Sequence, residues 1–339
     1  MAVRDLIVVG AGPSGLSAAI AARKRGLDYQ VLEQGTLVNS IYRFPPQMVF
    51  FTTPELLEIG GLPLISPYDK PTRVEALRYY RRVVDLYELQ IALEERVLSI
   101  KVEADADSSH GDTTRLFAID TLSSRGVRRV RHARYVVLAI GYFDRPNLLH
   151  VPGEDLPHVN HYYQEPYAFY RKRVVVVGGG NSAAEAALEL YRAGALVTLV
   201  HRRSELKSTI KYWVRPDIDN RIKEGSIAAR FETSVLEICP KTLVVRGPAG
   251  TEELPAEAVL LLTGYRADTK LMLDAGVELT NREAPRYNPE TFETNVPGLF
   301  VAGGALAGVD TGTIFIENGR FHGETIVGVI AQRVAAGRE

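Results

Sequence analysis

DLIVVGAGPSGLSAAIAARKRGLDYQVLE occupies residues 5–33, and this stretch decides the fold of the chain. The apolar run at 6–9 predicts a short buried strand, and GAGPSG at 10–15 follows it as a G-x-G-x-x-G loop. An alanine-rich run at 16–25 predicts a helix, and residues 29–32 predict a second strand. Strand, glycine loop, helix and strand in this order are typical of the first βαβ unit of a dinucleotide-binding domain.

Each part of this unit has a chemical purpose. Glycines let the backbone turn tightly and approach a pyrophosphate, and the helix N-terminus presents free N–H groups and a positive dipole end to the phosphates. Glu33 ends the second strand, where a carboxylate can accept hydrogen bonds from ribose hydroxyls. The alternative is a glycine-rich turn in an unrelated α/β protein. The residues predicted to form this first site are Gly10, Gly12, Pro13, Ser14, Gly15, Glu33 and Gln34.

A second unit of the same kind begins at Arg173 and differs in one respect. Residues 174–177 predict a strand, GGGNSA at 178–183 forms a G-x-G-x-x-A loop, and a second strand at 196–200 ends in His-Arg-Arg. Guanidinium groups bind a 2′-phosphate that a carboxylate would repel, so this site should prefer NADPH to NADH. A solvated strand end is the alternative. The residues predicted for this second site are Gly178, Gly180, Asn181, Ser182, Ala183, His201, Arg202, Arg203 and Gly264.

Length and composition place the chain among ordinary globular proteins. The 339 residues suggest about two domains, and the 46% hydrophobic and 24% charged contents are those of soluble proteins. A net charge of −1 gives no reason to expect nucleic acid or an anionic membrane as a partner. No apolar run approaches the ~20 residues that span a bilayer, and the N-terminus does not resemble a secretory signal. We therefore expect a cytoplasmic protein.

Cys239 is the single cysteine of the chain. An intramolecular disulfide, a C-x-x-C redox pair and a four-cysteine metal site are therefore excluded, and any redox chemistry requires a bound cofactor. We expect Cys239 itself to be a buried structural thiol. A second polar cluster, at residues 105–112, is predicted to be a solvated loop and not a metal site; its members are Asp105, Asp107, His110 and Asp112.

The rest of the chain suggests that one domain interrupts the other. We predict a helix at 77–88 and a loop or edge region at 41–54, whose aromatic side chains either line a flat ring system or fill the core: Tyr42, Phe44, Phe50 and Phe51. Antiparallel strands are predicted at 97–100, 117–121 and 127–130, and a separate buried strand at 135–140. Residues 230–245 and 254–262 are predicted to hold the remaining strands of the second domain. A strand and glycine turn at 297–304 then precede a helix from residue 314.

These elements predict an α/β fold with two Rossmann-like, three-layer ββα domains. Residues 1–150 and 265–339 would form an FAD-binding domain, and residues 151–264 an inserted NADPH-binding domain. The acid-ended first loop and the arginine-ended second loop suggest these two different cofactors.

The sequence resembles the thioredoxin-reductase-like flavoprotein reductases, and within them it is most similar to the YpdA-type bacillithiol-disulfide reductases. The motifs shared with the wider group are GAGPSG at 10–15, LAIGYFDRP at 138–146, GGGNSA at 178–183, HRR at 201–203 and TNVPGLFVAGG at 294–304. The motifs shared with the narrower group are IYRFPP at 41–46, FFTTPELLEIG at 50–60, IKYW at 210–213 and TIFIENGRFHG at 313–323.

This resemblance implies hydride transfer from NADPH to FAD, a rotation of one domain about the two crossovers, and a homodimer. It also implies that a helix beginning near residue 313 directs N–H groups at the negative charge of reduced flavin. Further predicted FAD contacts are Tyr42, Gly141, Gly303, Gly304, Thr313 and Ile314.

The sequence departs from this group of families at three places. C-x-x-C is absent, which argues against direct thioredoxin reduction, and Ser14 stands where YpdA-type members often have cysteine. Gly304 stands where the wider superfamily usually has an aspartate that contacts the flavin's ribityl chain. No catalytic residue is assigned; the candidates are Ser14, His322 and Glu317.

The leading interpretation is an NADPH-oxidising FAD reductase that acts on a small-molecule disulfide such as bacillithiol disulfide. The alternatives are a reductase of a small redox carrier (ferredoxin or flavodoxin), a flavin monooxygenase, or a nucleotide-binding protein without turnover.

Overall fold

The computed structural model describes residues 3–104 and 115–337 of the chain. Within these residues the chain divides into two compact units, which are described separately. The first comprises Met1–Arg43, Gln47–Arg145 and Tyr265–Glu339, and the second comprises Phe44–Pro46 and Pro146–Gly264. The acidic cluster predicted as a solvated loop, Asp105, Asp107, His110 and Asp112, lies outside the described residues.

The first unit is a mixed sheet covered by helices. Its elements before the second unit are β1 (Val3–Val9), α1 (Pro13–Lys24), β2 (Tyr29–Leu32), α2 (Asn39–Tyr42), α3 (Arg73–Tyr87), β3 (Ile91–Ala92), β4 (Glu95–Ala104), β5 (Arg115–Ser123) and β6 (Arg128–Leu138). The strands are arranged in the order β3-β2-β1-β6-β5-β4. β1 pairs in parallel with β2 and β6, whereas β4, β5 and β6 form an antiparallel meander.

Helix α1 begins at Pro13, three residues before the predicted start, and ends at Lys24, one residue before the predicted end. Pro13 occupies the first helical turn after an extended Gly12, and Gly26 follows the helix with a φ of +67°. α1 packs closely against the C-terminal helix of the unit, because a side chain at Gly323 would lie 2.7 Å from the Cα of Ala18. This close approach fixes the position of the helix that follows the first glycine loop.

Strand β6 corrects one prediction. Residues 127–130 and 135–140 were predicted to be separate strands, but Arg128–Leu138 is continuous. Its first half pairs with β5, and its second half pairs in parallel with Leu299–Val301. No glycine or proline interrupts the strand. One continuous strand therefore takes part in both the antiparallel and the parallel pairing.

The second unit repeats the parallel core. Its elements are β7 (Val159–Asn160), β8 (Arg173–Val177), α4 (Asn181–Arg192), β9 (Leu196–Val200), α5 (Arg215–Lys223), β10 (Ala228–Arg230), β11 (Ser234–Ile238), β12 (Thr242–Gly247), β13 (Gly250–Pro255) and β14 (Ala258–Leu261). One sheet has the order β10-β9-β8-β14-β7, and β11, β12 and β13 form an antiparallel meander.

Strand β8 shows why this unit has three layers. Val174 and Val176 belong to the apolar cluster that includes the alanines of α4, whereas Val175 and Val177 belong to the cluster that includes β12. Both faces of the strand are therefore buried, as its unbroken apolar run predicts. The helix α5 was not predicted, although Pro216 in its first turn is a recognisable start signal.

The chain returns to the first unit through elements that correct a second prediction. They are α6 (Thr269–Asp274), β15 (Leu299–Val301), α7 (Ile316–Gly319) and α8 (His322–Ala336). A single helix from residue 314 was predicted, but the helix is broken between Gly319 and His322. α6 was also missed; its N-cap is Asp268, which accepts a hydrogen bond from the Leu271 N–H at 3.4 Å.

Tertiary hydrogen bonds hold the break between α7 and α8. Arg320 Nη1 donates to the carbonyl oxygens of Glu55 at 2.5 Å and Glu58 at 2.8 Å, and the Ser17 hydroxyl donates to the Arg320 carbonyl at 2.6 Å. These partners come from the segment FFTTPELLEIG and from α1, both far away in sequence. The motif TIFIENGRFHG therefore has a structural purpose that local helix propensity does not reveal.

The buried carboxylate of Glu95 supports the end of β2. The backbone N–H of Glu95 donates to the Glu33 carbonyl at 2.8 Å. The Glu95 side chain accepts two hydrogen bonds from Arg131, at 2.7 and 2.8 Å, and one from Thr121 at 2.6 Å. The guanidinium of Arg131 is the main reason that the pKa of Glu95 is lowered. Because the folded-state pKa lies below the unfolded one, this carboxylate stabilises the fold above about pH 4.3, and the contribution is lost as the pH falls through the folded value.

We expect Arg131→Met to reduce the free energy of unfolding by about 3 kcal/mol at pH 7, because it leaves a buried carboxylate unpaired. The loss should shrink in urea titrations below pH 4, where Glu95 takes up a proton. Arg128→Met is the matched control, since it breaks an exposed pair with Asp120 and should cost less than about 1 kcal/mol. Equal losses in the two variants, or a loss that does not change with pH, would contradict the prediction.

No helix in the described part of the chain is both long and apolar enough to cross a bilayer.

Candidate functional site

The first glycine loop has the geometry of a phosphate cradle. Gly10 has a φ of +107°, and a side chain there would lie 2.9 Å from the carbonyl carbon of Ala139. A side chain at Gly15 would collide with the Gly10 carbonyl oxygen, so both positions require glycine. At Gly12, in contrast, an added Cβ would meet no atom of the described residues within 4 Å. The space above Gly12, at the start of α1, is therefore open to a ligand and fits a pyrophosphate.

Glu33 lies beside this loop as predicted. Its buried carboxylate accepts hydrogen bonds from the N–H groups of Ala11 and Gly35, each at 2.9 Å, one on each oxygen. Burial raises the pKa of Glu33, and the two N–H groups oppose this rise. Each oxygen keeps a further acceptor position, which is what two ribose hydroxyls would need.

Asp144 organises the residues around the end of β2, a contact that the sequence did not predict. Its carboxylate accepts hydrogen bonds from Gln34 Nε2 at 2.8 Å and Arg43 Nη1 at 2.7 Å. The predicted FAD contact Gln34 therefore uses one amide hydrogen within the protein.

The aromatic segment has both buried and exposed members, and the lining of a ring system by the exposed ones stays a prediction. Phe50 fills the core at 4% exposure, whereas Tyr42 is 52% exposed, with the guanidinium of Arg73 5.6 Å from its ring. Phe51 is also exposed and packs edge-on against Phe315 at 5.4 Å between ring centres. The first two residues of the predicted loop or edge region at 41–54 belong to the short helix α2 (Asn39–Tyr42).

Ser14 lies between two glycines from the C-terminal part of the chain. A side chain at Gly303 would collide with its hydroxyl, and one at Gly319 would lie 3.1 Å from it. In the described part of the chain, no side chain is hydrogen-bonded to Ser14 Oγ, so no general base activates this hydroxyl. The residue is placed in the cofactor loop, and its geometry does not support nucleophilic catalysis.

His322 is bound to the same turn. Its Nδ1 accepts a hydrogen bond from the Gly303 N–H at 3.1 Å, and its ring stacks on Phe292 at 4.3 Å. Burial lowers the pKa of His322. The imidazole is therefore neutral near pH 7, and its Nε2 is the nitrogen that carries the proton.

Glu317 is the other candidate proton donor, and its environment suits that role better. Burial raises the pKa of its carboxyl, while a hydrogen bond with the Thr52 side chain and the charge of Arg320 oppose the rise. A carboxyl with a raised pKa is a competent general acid.

Thr313 and Ile314 do not begin a helix, which corrects the proposed electrostatic role. Thr313 donates its N–H and its hydroxyl to the Asp310 carbonyl, at 3.2 and 2.9 Å, in a turn. The residue before α7 is Phe315, whose N–H donates to Asn318 Oδ1 at 2.8 Å. α7 has four residues, too short to direct an appreciable helix dipole at a flavin. Direct contact of Thr313 and Ile314 with FAD stays a prediction.

The second glycine loop matches the first in its backbone. Gly178 has a φ of +156°, and a side chain there would lie 2.9 Å from the Ala183 methyl group. Ala183 is buried and Ser182 is exposed in the first turn of α4. Gly264, at the other end of the unit, has a φ of +95°.

The motif IKYW is tied to the start of α4 by Asn181. The Asn181 side chain accepts from the Lys211 N–H at 2.8 Å and donates to the Thr209 carbonyl at 3.1 Å. Its predicted contact with NADPH is therefore combined with a structural task.

A positive cluster follows β9 beside this loop. The buried His201 has no hydrogen-bond partner for its Nε2 within the described residues, and its pKa is lowered by burial and by the charges of Arg203, Arg202 and Lys207. Across the described ranges, no carboxylate lies within 4 Å of the charged ends of Arg202, Arg203 or Lys207. Three unpaired cations around one loop fit a phosphate group.

Lys207 was not predicted. Its N–H donates to the Gly179 carbonyl at 2.9 Å, and its side chain lies 3.8 Å from the position of a Cβ on Gly180. The signal in the sequence was a third cation four residues after Arg203.

Comparisons with known proteins agree with this geometry. The family model for pyridine nucleotide-disulphide oxidoreductases matches residues 7–303. The chain belongs to this family. It is 40% identical over 331 residues to bacilliredoxin reductase Bdr of Bacillus subtilis (strain 168), covering 96% of this chain and 97% of that protein. Membership of this family and the fold imply FAD and NADPH as cofactors, as the two loops predicted.

Solved structures lead to the same family. Bacillithiol disulfide reductase Bdr (YpdA) from Bacillus cereus superposes with a TM-score of 0.93 at 37% identity, covering 98% of this chain and all of that one. The Staphylococcus aureus Bdr (YpdA) superposes with a TM-score of 0.90 at 36% identity, with complete coverage of both chains. The predicted fold class and the YpdA-type resemblance are confirmed. A more distant relative, at 26% identity over 308 residues, is the ferredoxin–NADP reductase of Ignicoccus hospitalis, with 89% of this chain and 90% of that protein covered.

Proposed function

We propose that this protein is an NADPH-oxidising FAD reductase whose acceptor is bacillithiol disulfide. The observation that carries the proposal is the contrast between two glycine loops, one beside the buried carboxylate of Glu33 and one beside unpaired cations. The two solved Bdr structures, at 36–37% identity, are of bacillithiol disulfide reductases, and this supports the choice of acceptor.

The residues of the first unit would hold FAD. The N–H groups at the start of α1 would bind its pyrophosphate above Gly12, and the free acceptor positions of Glu33 would bind ribose hydroxyls. In the second unit, the start of α4 would bind the NADPH pyrophosphate, and Arg202, Arg203 and Lys207 would bind its 2′-phosphate.

Bound FAD would supply the redox chemistry, since it can take up a hydride and pass two electrons on. The balanced reaction is NADPH, one proton and one disulfide giving NADP⁺ and two thiols. Of the chain's own residues, Glu317, with its raised pKa, is the best candidate to hold the proton that a product thiolate requires. His322 keeps its proton on Nε2 and positions Gly303 through Nδ1.

Anaerobic stopped-flow spectroscopy tests the proposal. The purified holoprotein should be bleached at the flavin maximum by NADPH much faster than by NADH. Addition of bacillithiol disulfide should then restore the absorbance with release of two thiols per flavin. Bleaching without reoxidation by this disulfide would refute bacillithiol disulfide as the acceptor. No bleaching with either nucleotide would refute the proposed reductase activity.

Cys239 provides a control within the same experiment. It is partly buried, less so than predicted, at the end of β11, and belongs to the second unit. Because the proposed reaction uses no protein thiol, Cys239→Ser should keep the wild-type rate, and alkylation of the wild type should not inhibit it. Loss of activity in both cases would indicate a cysteine-based exchange instead.

A reductase of ferredoxin or flavodoxin is the second candidate. The absence of a C-x-x-C pair and the ferredoxin–NADP reductase relative favour it. The two candidates differ in reoxidation: single-electron transfer to a carrier protein would outpace transfer to bacillithiol disulfide.

We also propose that the protein is cytoplasmic and forms a homodimer. The single cysteine is consistent with a reducing compartment. The dimer rests on the resemblance to flavoprotein reductases alone, and size-exclusion chromatography with light scattering would test it.

A further inference from the structure

Tyr142 and Gly304 form a steric pair at the edge where β6 and β15 end. A Cβ on Gly304 would lie 2.7 Å from Cδ1 and 2.8 Å from Cε1 of the Tyr142 ring. No side chain larger than hydrogen fits at position 304 while the ring keeps its place. The phenol therefore fills the volume that a side chain at 304 would otherwise occupy.

The segment that carries Tyr142 is held firmly. Gly141 precedes it with a φ of +60°, and Asp144 binds Gln34 and Arg43 two residues later. The ring of Tyr142 also packs against the apolar cluster of the first unit. Its position is thus fixed by the fold on both sides.

The Tyr142 hydroxyl has no hydrogen-bond partner among residues 3–104 and 115–337. Burial, followed by the nearby charge of Glu317, raises the pKa of this hydroxyl. It is therefore protonated at neutral pH and can donate a hydrogen bond. The residue is half-buried, and a hydroxyl donor without a protein partner is available to a ligand or a water.

We propose that Tyr142 is a flavin-positioning residue, whose hydroxyl donates a hydrogen bond to the flavin part of FAD in place of a side chain at position 304. The proposal rests on the proposed function, because it requires FAD in the first unit. Glycine is then required at position 304 because the Tyr142 ring occupies the space of a side chain there. The Tyr142 hydroxyl takes over the hydrogen bond that such a side chain would make.

The first test removes the hydroxyl alone. Tyr142→Phe should weaken FAD binding about five-fold, as loss of one hydrogen bond predicts, and shift the flavin absorption maximum and reduction potential. Tyr135→Phe, which changes a half-buried tyrosine of β6, is the matched control and should leave all three unchanged. Wild-type affinity, spectrum and potential in Tyr142→Phe would overturn the proposal.

The second test is a double-mutant cycle on FAD affinity. Gly304→Ala should weaken FAD binding about ten-fold in the wild-type background, because its methyl group displaces the ring. In a Tyr142→Ala background the same change should have almost no effect, since the ring is absent. Additive effects would overturn the steric pairing, and melting curves of the apoproteins show whether each variant is folded.

Failure of the proposed function gives a different pattern. If the wild type does not bind FAD, the proposed function falls with this inference. If the wild type binds FAD and is bleached by NADPH while Tyr142→Phe is unchanged, only the role of Tyr142 is refuted.

Discussion

Gly12→Ala is expected to lower the affinity for FAD about 100-fold while the apoprotein stays folded. The added methyl group would enter the open space above the loop, where it meets no protein atom within 4 Å among the described residues. It would displace at least two charge-assisted hydrogen bonds to the pyrophosphate, each worth about 1.5–3 kcal/mol. The apoprotein should lose less than about 1 kcal/mol, because alanine is only a poorer N-cap than glycine. Equilibrium dialysis and urea denaturation measure the two quantities.

Two further glycine variants make this result specific. Gly15→Ala should destabilise the apoprotein itself by about 3 kcal/mol or more, because its methyl group collides with the Gly10 carbonyl. Gly328→Ala is the control: it lies inside α8 with open space around it and should stabilise the fold by about 0.5–1 kcal/mol without changing FAD affinity. Gly12→Ala with wild-type FAD affinity would show that this loop does not hold the cofactor.

The double variant Arg202→Ala/Arg203→Ala is expected to raise the KM for NADPH about 100-fold, with little change for NADH. Only NADPH carries the 2′-phosphate. Two charged hydrogen bonds at the lower end of their range, about 1.5 kcal/mol each, account for about 3 kcal/mol, which corresponds to roughly this factor. Steady-state kinetics with both nucleotides gives the ratio. Adding Lys207→Ala to the double variant should raise the KM for NADPH further and leave the KM for NADH unchanged.

The control for charge is Lys241→Ala/Arg246→Ala. Both residues are exposed on the meander of the second unit, and the control variant loses two positive charges, as many as the Arg202/Arg203 variant. It should keep the wild-type preference for NADPH. Raising the salt concentration should weaken NADPH binding in the wild type and this control, but hardly in the Arg202/Arg203 variant, because salt screens exposed charges. Equal rises in KM for NADPH and NADH would refute the 2′-phosphate role.

The nucleotide loops were predictable because their determinants are local. A strand, a glycine turn and a helix of small residues lie within about 25 residues, and each carries its own signal in the sequence. The strands at 29–32 and 196–200 were predicted with the observed bounds. The cysteine count likewise needed no structure to exclude a C-x-x-C mechanism.

The errors fall where distant segments meet. The break after α7 depends on Arg320 binding carbonyls some 260 residues earlier, so the helical pattern across 314–336 gave no warning of it. β6 is continuous because β5 pairs with its first half, whereas β1 and β15 pair with its second half. Lys207 lies at the second glycine loop because its N–H donates to the Gly179 carbonyl, a contact between two separate segments of the chain.

The sequence by itself determined two dinucleotide loops, the opposite charges that follow them and the absence of a second thiol, because spacing and residue type along one short segment are enough for each. Only the tertiary structure decided that Tyr142 excludes a side chain at 304, that Asp144 binds Gln34 and Arg43, and that no helix begins at Thr313. These features depend on side chains that meet in space from different strands and loops, and a contact of that kind has no period or motif in the chain.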